Sequence, residues 1–414
     1  MKNEILSSLD NPGKLERLYR TDKQTFKRVF KTLYPEIQDN TLANFWRERL
    51  NFTGEEVSWG TRKDLVFVIV ASLLAGLIAK MPGILSIKEE FFYPRNIGFV
   101  IFPVLSVYFA WKNKLSGGKV AFITVAILTG LFFINFLPDS IESDTLLLSC
   151  IHLILFLWAI LGFAFVGAKE NNLEKRLSYL RYNGDLIVMT TLILIAGAIM
   201  TGVTLGLFEL IGFKIEQFYF DYFGIFGLAA APIVGTYLTQ ANPQLVGKVS
   251  PVIARIFSPL VLIMLIIYLA AIIYSGKDPY NDREFLLIFN ALLIGVMAII
   301  FFSVAETSKK TTSKPEIWVL FMLSAITILV NGIALSAILF RILELGITPN
   351  RAAVLGSNVL ILFNLILVTV QFYRVLFKSA NLSAVGRAIS IYLPVYVVWA
   401  VIVTFIFPLL FGFK

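Results

Sequence analysis

The sequence predicts an all-α, polytopic membrane protein with about eleven transmembrane helices and a small helical domain in front of them. Its 414 residues are 57% hydrophobic and only 15% charged, with a mean hydropathy of +0.79. These values lie outside the range of a soluble domain. After residue 63 the chain also contains about eleven apolar runs. Each is close to the ~20 residues that a helix needs to cross a hydrocarbon core roughly 30 Å thick.

A helical leader domain of residues 1–60 is predicted to precede a transmembrane domain of residues 61–414. The leader contains three amphipathic segments, which we expect to begin at Asn11, Thr21 and Asn40 because these residue types cap helix N-termini. Apolar residues recur in each segment at helical spacing, which predicts three helices around one small shared core. The apolar stripes are Leu15, Leu18 and Tyr19; then Phe26, Val29, Phe30 and Leu33; then Leu42, Phe45, Trp46 and Leu50.

The leader has two interpretations. In the first it is a packed cap that leans on the inner loops or the bilayer surface, because so small a core is marginal by itself. In the second it is a docking site for a soluble cytoplasmic partner or for anionic lipid headgroups. The second interpretation uses Lys23, Lys27, Arg28 and Lys31, each of which contributes ~1 kcal/mol near an anionic membrane surface.

The loops between the apolar runs predict the orientation, since short cytoplasmic loops carry an excess of Lys and Arg. With the N-terminus inside, the inner side holds 27 of these residues and the outer side 8, with Lys80 at a border. The first 60 residues are polar and lack the apolar core of a cleavable signal peptide. We therefore predict a cytoplasmic N-terminus and an outer C-terminus. The predicted spans are approximately 64–83, 97–111, 120–137, 145–167, 185–211, 222–240, 256–275, 285–306, 316–340, 352–373 and 388–411.

Three similar stretches, RKDLVFV, NGDLIVM and KPEIWVL, open the first, fifth and ninth spans. Each places an acid directly before an apolar run, namely Asp64, Asp185 and Glu316. A carboxylate at a helix N-terminus is favoured by ~0.3–1 kcal/mol, which is an ordinary explanation for these acids. Their spacing nevertheless predicts parallel repeats of four, four and three spans. The predicted repeats cover residues 64–168, 185–306 and 316–411.

Polar side chains inside the spans are the candidate site, because an ionisable group in hydrocarbon is costly and usually faces a partner or a water-filled cavity. His152, in the fourth span, is either a structural imidazole or part of a pathway. Glu209 lies near the outer end of the fifth span. Asn331 and Asn364 lie near the middle of the ninth and tenth spans, where they either join helices by hydrogen bonds or line a pathway.

The segment RILELGITPNR connects the ninth and tenth spans and places charges where apolar runs meet on both sides. Thr348 followed by Pro349 predicts a helix start. Arg341 and Glu344 are three residues apart and are expected to pair. Arg351 has two interpretations. It either extends to outer phosphates or keeps a free face for an anion, because guanidinium groups bind phosphate and carboxylate through two hydrogen bonds.

The sequence lacks the usual catalytic motifs, HExxH, a Walker loop, GxSxG and DDxxD among them. It has one histidine and one cysteine, Cys150 in the fourth span, so neither a metal site built on these residues nor a disulfide is expected. We predict no catalytic residue, no metal site and no cofactor. The net charge of +9 is spread over the inner loops, so it reflects membrane topology and does not indicate nucleic-acid binding.

Two stretches carry a resemblance to known families. They are RILELGITPNRAAVLGSNVLILFNLILV and LDNPGKLERLYRTDKQTFKRVFKTLYPEIQDN. They resemble bacterial multi-span families of unknown function of the DUF4153 type, particularly those of Bacteroidetes. The resemblance covers most of the chain through short patches. It implies a bacterial inner-membrane protein and supplies no activity, substrate or catalytic residue.

The sequence as a whole favours a transporter or flippase-like permease for a small or amphiphilic anion. Proline-interrupted spans, polar groups within the membrane and arginines on the outer side all point that way, and the expected partners are membrane lipids and an anionic small molecule or headgroup. The other interpretation is a non-transporting scaffold or sensor that acts through residues 1–60. A polar cavity reaching His152, Asn331 or Asn364 would favour transport, whereas a solidly packed bundle would favour the scaffold.

Overall fold

The chain forms two compact units, Met1–Ser58 and Trp59–Lys414. The structure is a computed structural model. It describes residues 1–51, 61–139, 143–167, 172–210, 213–243, 249–275, 280, 283–307 and 314–413.

Over its described residues, 1–51, the leader unit has four short helices. They are α1 (Lys2–Leu6), α2 (Pro12–Thr21), α3 (Lys23–Ile37) and α4 (Thr41–Asn51). The three predicted stripes close around one core, and α1 adds Ile5, which was not predicted. Phe45 is the exception among the predicted core residues, since 68% of it is exposed.

Side-chain caps set the ends of the leader helices. The Oδ1 atom of Asn11 accepts from the backbone N–H of Lys14 at 3.0 Å, and Asn40 caps α4 in the same way. The predicted cap Thr21 is wrong, because Asp22 accepts from the backbone N–H of Thr25 at 3.0 Å. A carboxylate at this position is a better acceptor for the free N–H groups of a helix start than a hydroxyl.

One carboxylate joins two helices of the leader, α2 and α4. Glu16 lies 2.8 Å from Arg20 on its own helix and 2.7 Å from Arg49 on α4. Hydrogen bonding from Arg20 and the charge of Arg49 hold the pKa of Glu16 below its ordinary value. Lys27, Arg28 and Lys31 are exposed on α3.

The second unit confirms the predicted fold class. Within the described ranges it has eleven helices that are long and apolar enough to cross a membrane. They are α5 (Arg62–Leu85), α6 (Glu89–Lys112), α7 (Gly117–Phe136), α8 (Asp144–Val166), α9 (Leu173–Leu210), α10 (Glu216–Ala241), α11 (Val249–Ser275), α12 (Arg283–Thr307), α13 (Lys314–Leu345), α14 (Pro349–Phe377) and α15 (Ser383–Leu410).

The start of the fifth span differs from the prediction. Helix α9 begins at Leu173, so Asp185 lies inside a continuous helix and does not mark its N-terminus. The other two acids do lie in first turns. Asp64 forms a capping box with Thr61 and lies 3.3 Å from Lys112 at the end of α6.

Equivalent helices of the predicted repeats have different packing partners. In the first group α6 packs on α8, whereas α10, its counterpart in the second group, packs mainly on α5 and α9. One of the three sequence markers, Asp185, also lacks the helix-start position that the others share. The repeats 64–168, 185–306 and 316–411 stay a prediction.

Helix α9 contributes to two apolar cores. Tyr179 and Tyr182 pack into a core shared with α5, α6, α8 and α10. Leu180 packs into a second core built mainly from α11 to α15. Residues one position apart on a helix point about 100° apart, so one buried helix can serve both cores. The first half of α9 therefore stands between the two helix groups.

Within the described residues two π-helical turns interrupt spans, at Phe220–Gly224 in α10 and at Ile402–Ile406 in α15. A π turn widens the hydrogen-bonding pattern of the helix and leaves its carbonyls accessible to other donors. In α15 the Oγ of Ser149 donates to the carbonyl of Thr404 at 2.9 Å. This bond fastens the interrupted part of α15 to α8.

Candidate functional site: a cavity between three helix ends

A cavity of about 150 Å³ lies between the start of α11, the end of α12 and the start of α13. Most of its wall is apolar, and serine hydroxyls and charged groups are confined to a few positions. Within the described residues it is lined by Pro251, Ala254, Arg255, Ser258, Pro259, Ser303, Glu306, Pro315, Glu316, Val319 and Leu320. A mainly apolar pocket with a few placed polar groups is the usual form of a ligand site.

Among the described residues two ion pairs supply charges to this cavity. Arg255 Nε lies 2.9 Å from Glu316 Oε1, and their side chains are 50% and 24% exposed. Arg181 of α9 stands behind the wall, where its Nε lies 3.2 Å from Glu306 Oε1. The second pair is buried, with the side chains 14% and 7% exposed, so water screens it far less than the first pair.

Neutral polar groups complete the wall. The hydroxyl groups of Ser258 and Ser303 lie 3.0 Å apart and join α11 to α12. Ser258 also donates to the carbonyl of Ala254 at 2.8 Å. Pro259 has no N–H to donate to the carbonyl of Arg255 one turn earlier. The α11 wall therefore offers hydroxyl and carbonyl oxygens beside the ion pairs.

A close approach of α9 and α12 places Arg181 against Glu306. Gly184 lies one turn after Arg181, and Phe302 lies one turn before Glu306. A Cβ atom added at Gly184 would overlap the ring of Phe302. The absence of a side chain at Gly184 thus lets the two helices come near enough for the buried ion pair to form.

Gly184→Ala should lower the free energy of unfolding by about 1–3 kcal/mol, because the Phe302 ring must move and overpacking of a core has this cost. The midpoint of denaturation in detergent measures the effect. Gly197→Ala on the same helix is the matched control, since a Cβ there meets no atom within 4 Å. We expect that control to be neutral or stabilising by up to ~1 kcal/mol from helix propensity. Equal midpoints for the two variants would contradict the close approach.

The polar residues predicted within the spans lie outside the lining of the cavity. This cavity is therefore not the one, reaching His152, Asn331 or Asn364, that was expected of a transporter. His152 is buried, and its Nδ1 lies 2.9 Å from the carbonyl of Leu148 one turn earlier. Asn331 donates to the carbonyl of Asn358 at 3.2 Å, and Asn364 donates to the Tyr396 hydroxyl at 3.1 Å. Both asparagines therefore join neighbouring helices. Their Oδ1 atoms are buried without a hydrogen-bond partner among the described residues.

Glu209 stands apart from these groups. It is exposed near the end of α9, in a half of the helix where almost every side chain is exposed. Glu209 forms no hydrogen bond or ion pair with any other predicted site residue that the structure describes. Glu209 stays a predicted pathway residue without a described contact.

The turn between α13 and α14 has a different arrangement from the predicted one. In the part of the chain that the structure describes, no ion pair joins Arg341 to Glu344 within 4.0 Å. Glu344 is exposed, and Gly346 at the end of α13 has a φ of +77°. This left-handed conformation ends the helix only after Leu345. Arg341 and Glu344 both lie inside α13, so the helical spacing is as predicted but the two side chains do not pair.

Arg351 acts as a clamp on this turn. Its Nη1 atom donates to the carbonyls of Leu345 at 2.9 Å and Gly346 at 2.6 Å, which are acceptors that the end of α13 leaves free. Thr348 caps α14 through the backbone N–H of Arg351, as predicted. The predicted free face for an anion is thus partly used by backbone carbonyls.

Replacing Arg351 with alanine should destabilise the hairpin of α13 and α14 by about 1 kcal/mol, because two carbonyls lose a charged donor. Arg341→Ala is the matched control on the same turn and should change stability by no more than about 0.5 kcal/mol. Thermal unfolding of the two variants in the same detergent compares them. If the Arg351 variant is as stable as the control, the interpretation that this arginine extends to membrane phosphates is favoured.

Sequence reasoning missed a second buried arginine. Arg95 of α6 is almost fully buried, and its Nη2 lies 3.1 Å from Asp139 Oδ1. Beside it the amides of Asn96 and Asn135 exchange hydrogen bonds of 3.0 and 2.8 Å. These groups lie near the ends of α6 and α7 that are remote from the cavity. They fasten those two helices to each other.

The cavity residues Arg181, Arg255 and Ser303 were also missed. Arg181 and Arg255 both lie in predicted inner loops, where a basic residue is expected for topology alone. One sequence feature could have indicated them. Glu306 and Glu316 lie at span borders on the predicted inner side, the same side as the two arginines. Opposite charges at one membrane level can pair, although the sequence does not indicate which helices are neighbours.

The fold defines the class: this is a multi-pass α-helical membrane protein with a charged cavity where three of its spans end. Among the described residues no group of three His, Cys, Asp or Glu side chains could hold a metal ion. Comparison of the chain with protein-family models, curated proteins and solved structures finds no match. The resemblance to the DUF4153-type families stays a prediction.

Proposed function

We propose that this protein is a flippase-like permease that takes up an amphiphilic anion at the cavity between α11, α12 and α13. The observation that carries the proposal is the position of Arg255, a half-exposed guanidinium in a wall that is otherwise mainly apolar. A guanidinium binds phosphate or carboxylate through two parallel hydrogen bonds. The apolar lining suits the part of an amphiphile next to its headgroup.

The outward face of α11 supports an amphiphilic ligand over a small soluble anion. Val252, Ile256, Leu260, Ile263 and Ile267 are each about half exposed or more. Their spacing of three or four residues forms one stripe along the helix, about 22 Å long at 1.5 Å per residue. An acyl chain can lie along this stripe while the headgroup occupies the cavity at its end.

We place the protein in a bacterial inner membrane, with the N-terminus in the cytoplasm, so that the cavity opens toward the cytoplasmic leaflet. The excess of Lys and Arg on one side of the spans supports this orientation. Reporter fusions at residues 60, 141, 279 and 414 test it. A cytoplasmic signal at 141 or at 414 would overturn the orientation.

Lipid exchange in proteoliposomes tests the transport proposal. Vesicles contain phosphatidylglycerol labelled on an acyl chain with a fluorophore that dithionite reduces only in the outer leaflet. We expect the purified protein to expose inner-leaflet label, and Arg255→Ala to slow this exchange. Arg374→Ala is the control, since Arg374 is exposed at the end of α14 and outside the cavity lining. Exchange no faster than in protein-free vesicles, for any labelled phospholipid, would refute the proposal.

A second candidate function is a scaffold or sensor acting through the leader. The leader has its own core and displays Lys27, Arg28 and Lys31 on the exposed face of α3, which favours binding of an acidic protein surface or anionic lipid. Deletion of residues 1–58 separates the two functions. Loss of a partner with unchanged lipid exchange would show that the leader serves a task separate from transport.

A further inference from the structure

We infer that Glu316 competes with the anionic headgroup for Arg255, so that the site contains its own inhibitory contact. This inference rests on the proposed function and concerns the regulation of the same site. The Nε atom of Arg255 lies 2.9 Å from Oε1 of Glu316, and both residues line the cavity. The guanidinium that an incoming phosphate or carboxylate must bind is therefore already bound to a carboxylate of the chain.

The contact between these two side chains is weak enough to be replaced. Glu316 holds the guanidinium through one oxygen, because its Oε2 atom is buried with no hydrogen-bond partner among the described residues. The Arg255 side chain is 50% exposed, and a partly exposed ion pair contributes little to stability. A phosphate that accepts two parallel hydrogen bonds is a stronger partner for a guanidinium than a carboxylate bound through one oxygen. A headgroup can therefore displace Glu316.

The displaced carboxylate has a second place in which its charge is stabilised. Glu316 lies in the first turn of α13, which begins at Lys314. The first N–H groups of a helix have no acceptor within the helix, and a carboxylate near them is also favoured by the helix dipole. Once a headgroup binds Arg255, the Glu316 side chain can turn toward the start of its own helix.

The competition also affects how α11 and α13 are held together. Arg255 belongs to α11 and Glu316 to α13, so their ion pair links the starts of the two helices where both line the cavity. Binding of a headgroup to Arg255 removes this link. The empty site is thus held closed by the ion pair, and the arriving anion itself releases α11 from α13.

Further lysines border the cavity lining in the sequence. Lys314 is exposed at the start of α13, whereas Lys248, Lys309 and Lys310 lie outside the described residues. All of them are present in the wild type and in any variant of Glu316 alike. A comparison of such variants therefore isolates the effect of this carboxylate from the attraction that the lysines exert on an anion.

The dependence of lipid exchange on the fraction of phosphatidylglycerol tests the competition in proteoliposomes of the full chain. Vesicles of phosphatidylcholine contain increasing fractions of phosphatidylglycerol, a constant share of which carries the acyl-chain fluorophore. We expect Glu316→Gln to reach half of its maximal exchange rate at an about three-fold lower fraction than the wild type, a change of the size that a partly exposed ion pair allows.

Two controls accompany this variant. Glu344→Gln removes one negative charge from an exposed position of the same helix, outside the cavity lining, and should behave as the wild type. The double variant Arg255→Ala with Glu316→Gln should exchange lipid no faster than Arg255→Ala alone, because Glu316 acts through the guanidinium.

Chemical modification of Arg255 supplies a measurement that does not require transport. Phenylglyoxal, a neutral reagent for arginine, is added to the purified full chain in detergent, and mass spectrometry follows the peptide that contains Arg255. We expect faster modification in Glu316→Gln than in the wild type, because the guanidinium is no longer held by the carboxylate. Added phosphatidylglycerol should slow the modification in both proteins.

An unchanged or higher half-saturating fraction in Glu316→Gln would overturn the competition and leave the proposed permease intact. A gain from Glu316→Gln that persists without Arg255 would also overturn it, since the carboxylate would then repel anions directly. Equal rates of modification in the wild type and Glu316→Gln would contradict the inhibitory contact. Absence of exchange in the wild type, for any labelled phospholipid, would overturn the proposed function itself.

Discussion

Replacing Arg181 with methionine should lower the free energy of unfolding of the membrane unit by about 3–5 kcal/mol, the usual cost of removing one partner from a buried ion pair. The reason is that Glu306, with only 7% of its side chain exposed, would remain inside the protein and lose the guanidinium of Arg181. Arg181 also donates to the carbonyl of Ala305, which loses that donor as well. Methionine keeps most of the side-chain volume, so a cavity contributes little to the effect.

Arg255→Met is the matched control for this experiment. Its partner Glu316 lies at a similar distance, 2.9 Å, but the Arg255 side chain is 50% exposed. Water can hydrate the Glu316 carboxylate once the guanidinium is removed. We therefore expect the free energy of unfolding to change by only about 0–1 kcal/mol. Midpoints of thermal unfolding are to be compared at one scan rate, because membrane proteins often unfold irreversibly. Similar small shifts for both variants would show that the stability of buried Glu306 does not depend on Arg181.

Phe26→Ala should unfold the leader unit while the membrane unit keeps its helices. Phe26 has no exposed surface and packs against the rings of Tyr19, Phe30 and Trp46, with centroids 5.1 to 5.7 Å away. Truncating a buried phenylalanine costs about 3–5 kcal/mol. A unit of this size has little stability beyond that amount.

Brief trypsin treatment of the full chain in detergent measures the opening of the leader. The Phe26 variant should be cut within residues 1–58 much faster than the wild type. Phe45→Ala is the control, because Phe45 is 68% exposed and its removal should change stability by no more than about 0.5 kcal/mol. A Phe26 variant as resistant as the control would show that the leader does not depend on this core.

The number and approximate position of the spans could be predicted from the sequence, because the need for ~20 apolar residues in hydrocarbon is a local requirement. The leader stripes could be predicted for the same reason, since helical spacing sorts buried from exposed residues within one segment. Phe45 shows the limit of predicting burial from helical spacing. It belongs to an apolar stripe, yet the fold leaves it exposed because α4 turns Ala43, Trp46 and Leu50 toward the core.

The turn after α13 was predicted in part. Thr348 and Pro349 start α14 as their types predict, because a cap depends on only the next few residues. The partners of Arg351 were not predicted. They are two carbonyls that become available only because Gly346 adopts a left-handed conformation and ends the preceding helix.

What the sequence by itself determined about this protein is the class of fold and the helix starts that follow local capping rules. Tertiary structure alone decided the cavity. Arg181 and Glu306, 125 positions apart in the chain, form an ion pair because Gly184 has no side chain and leaves room for the ring of Phe302. Arg255 and Glu316 meet because α11 and α13 pack together. Apolar periodicity shows that a helix is buried, but nearly all sides of these spans are apolar, so it carries little information about which helices become neighbours.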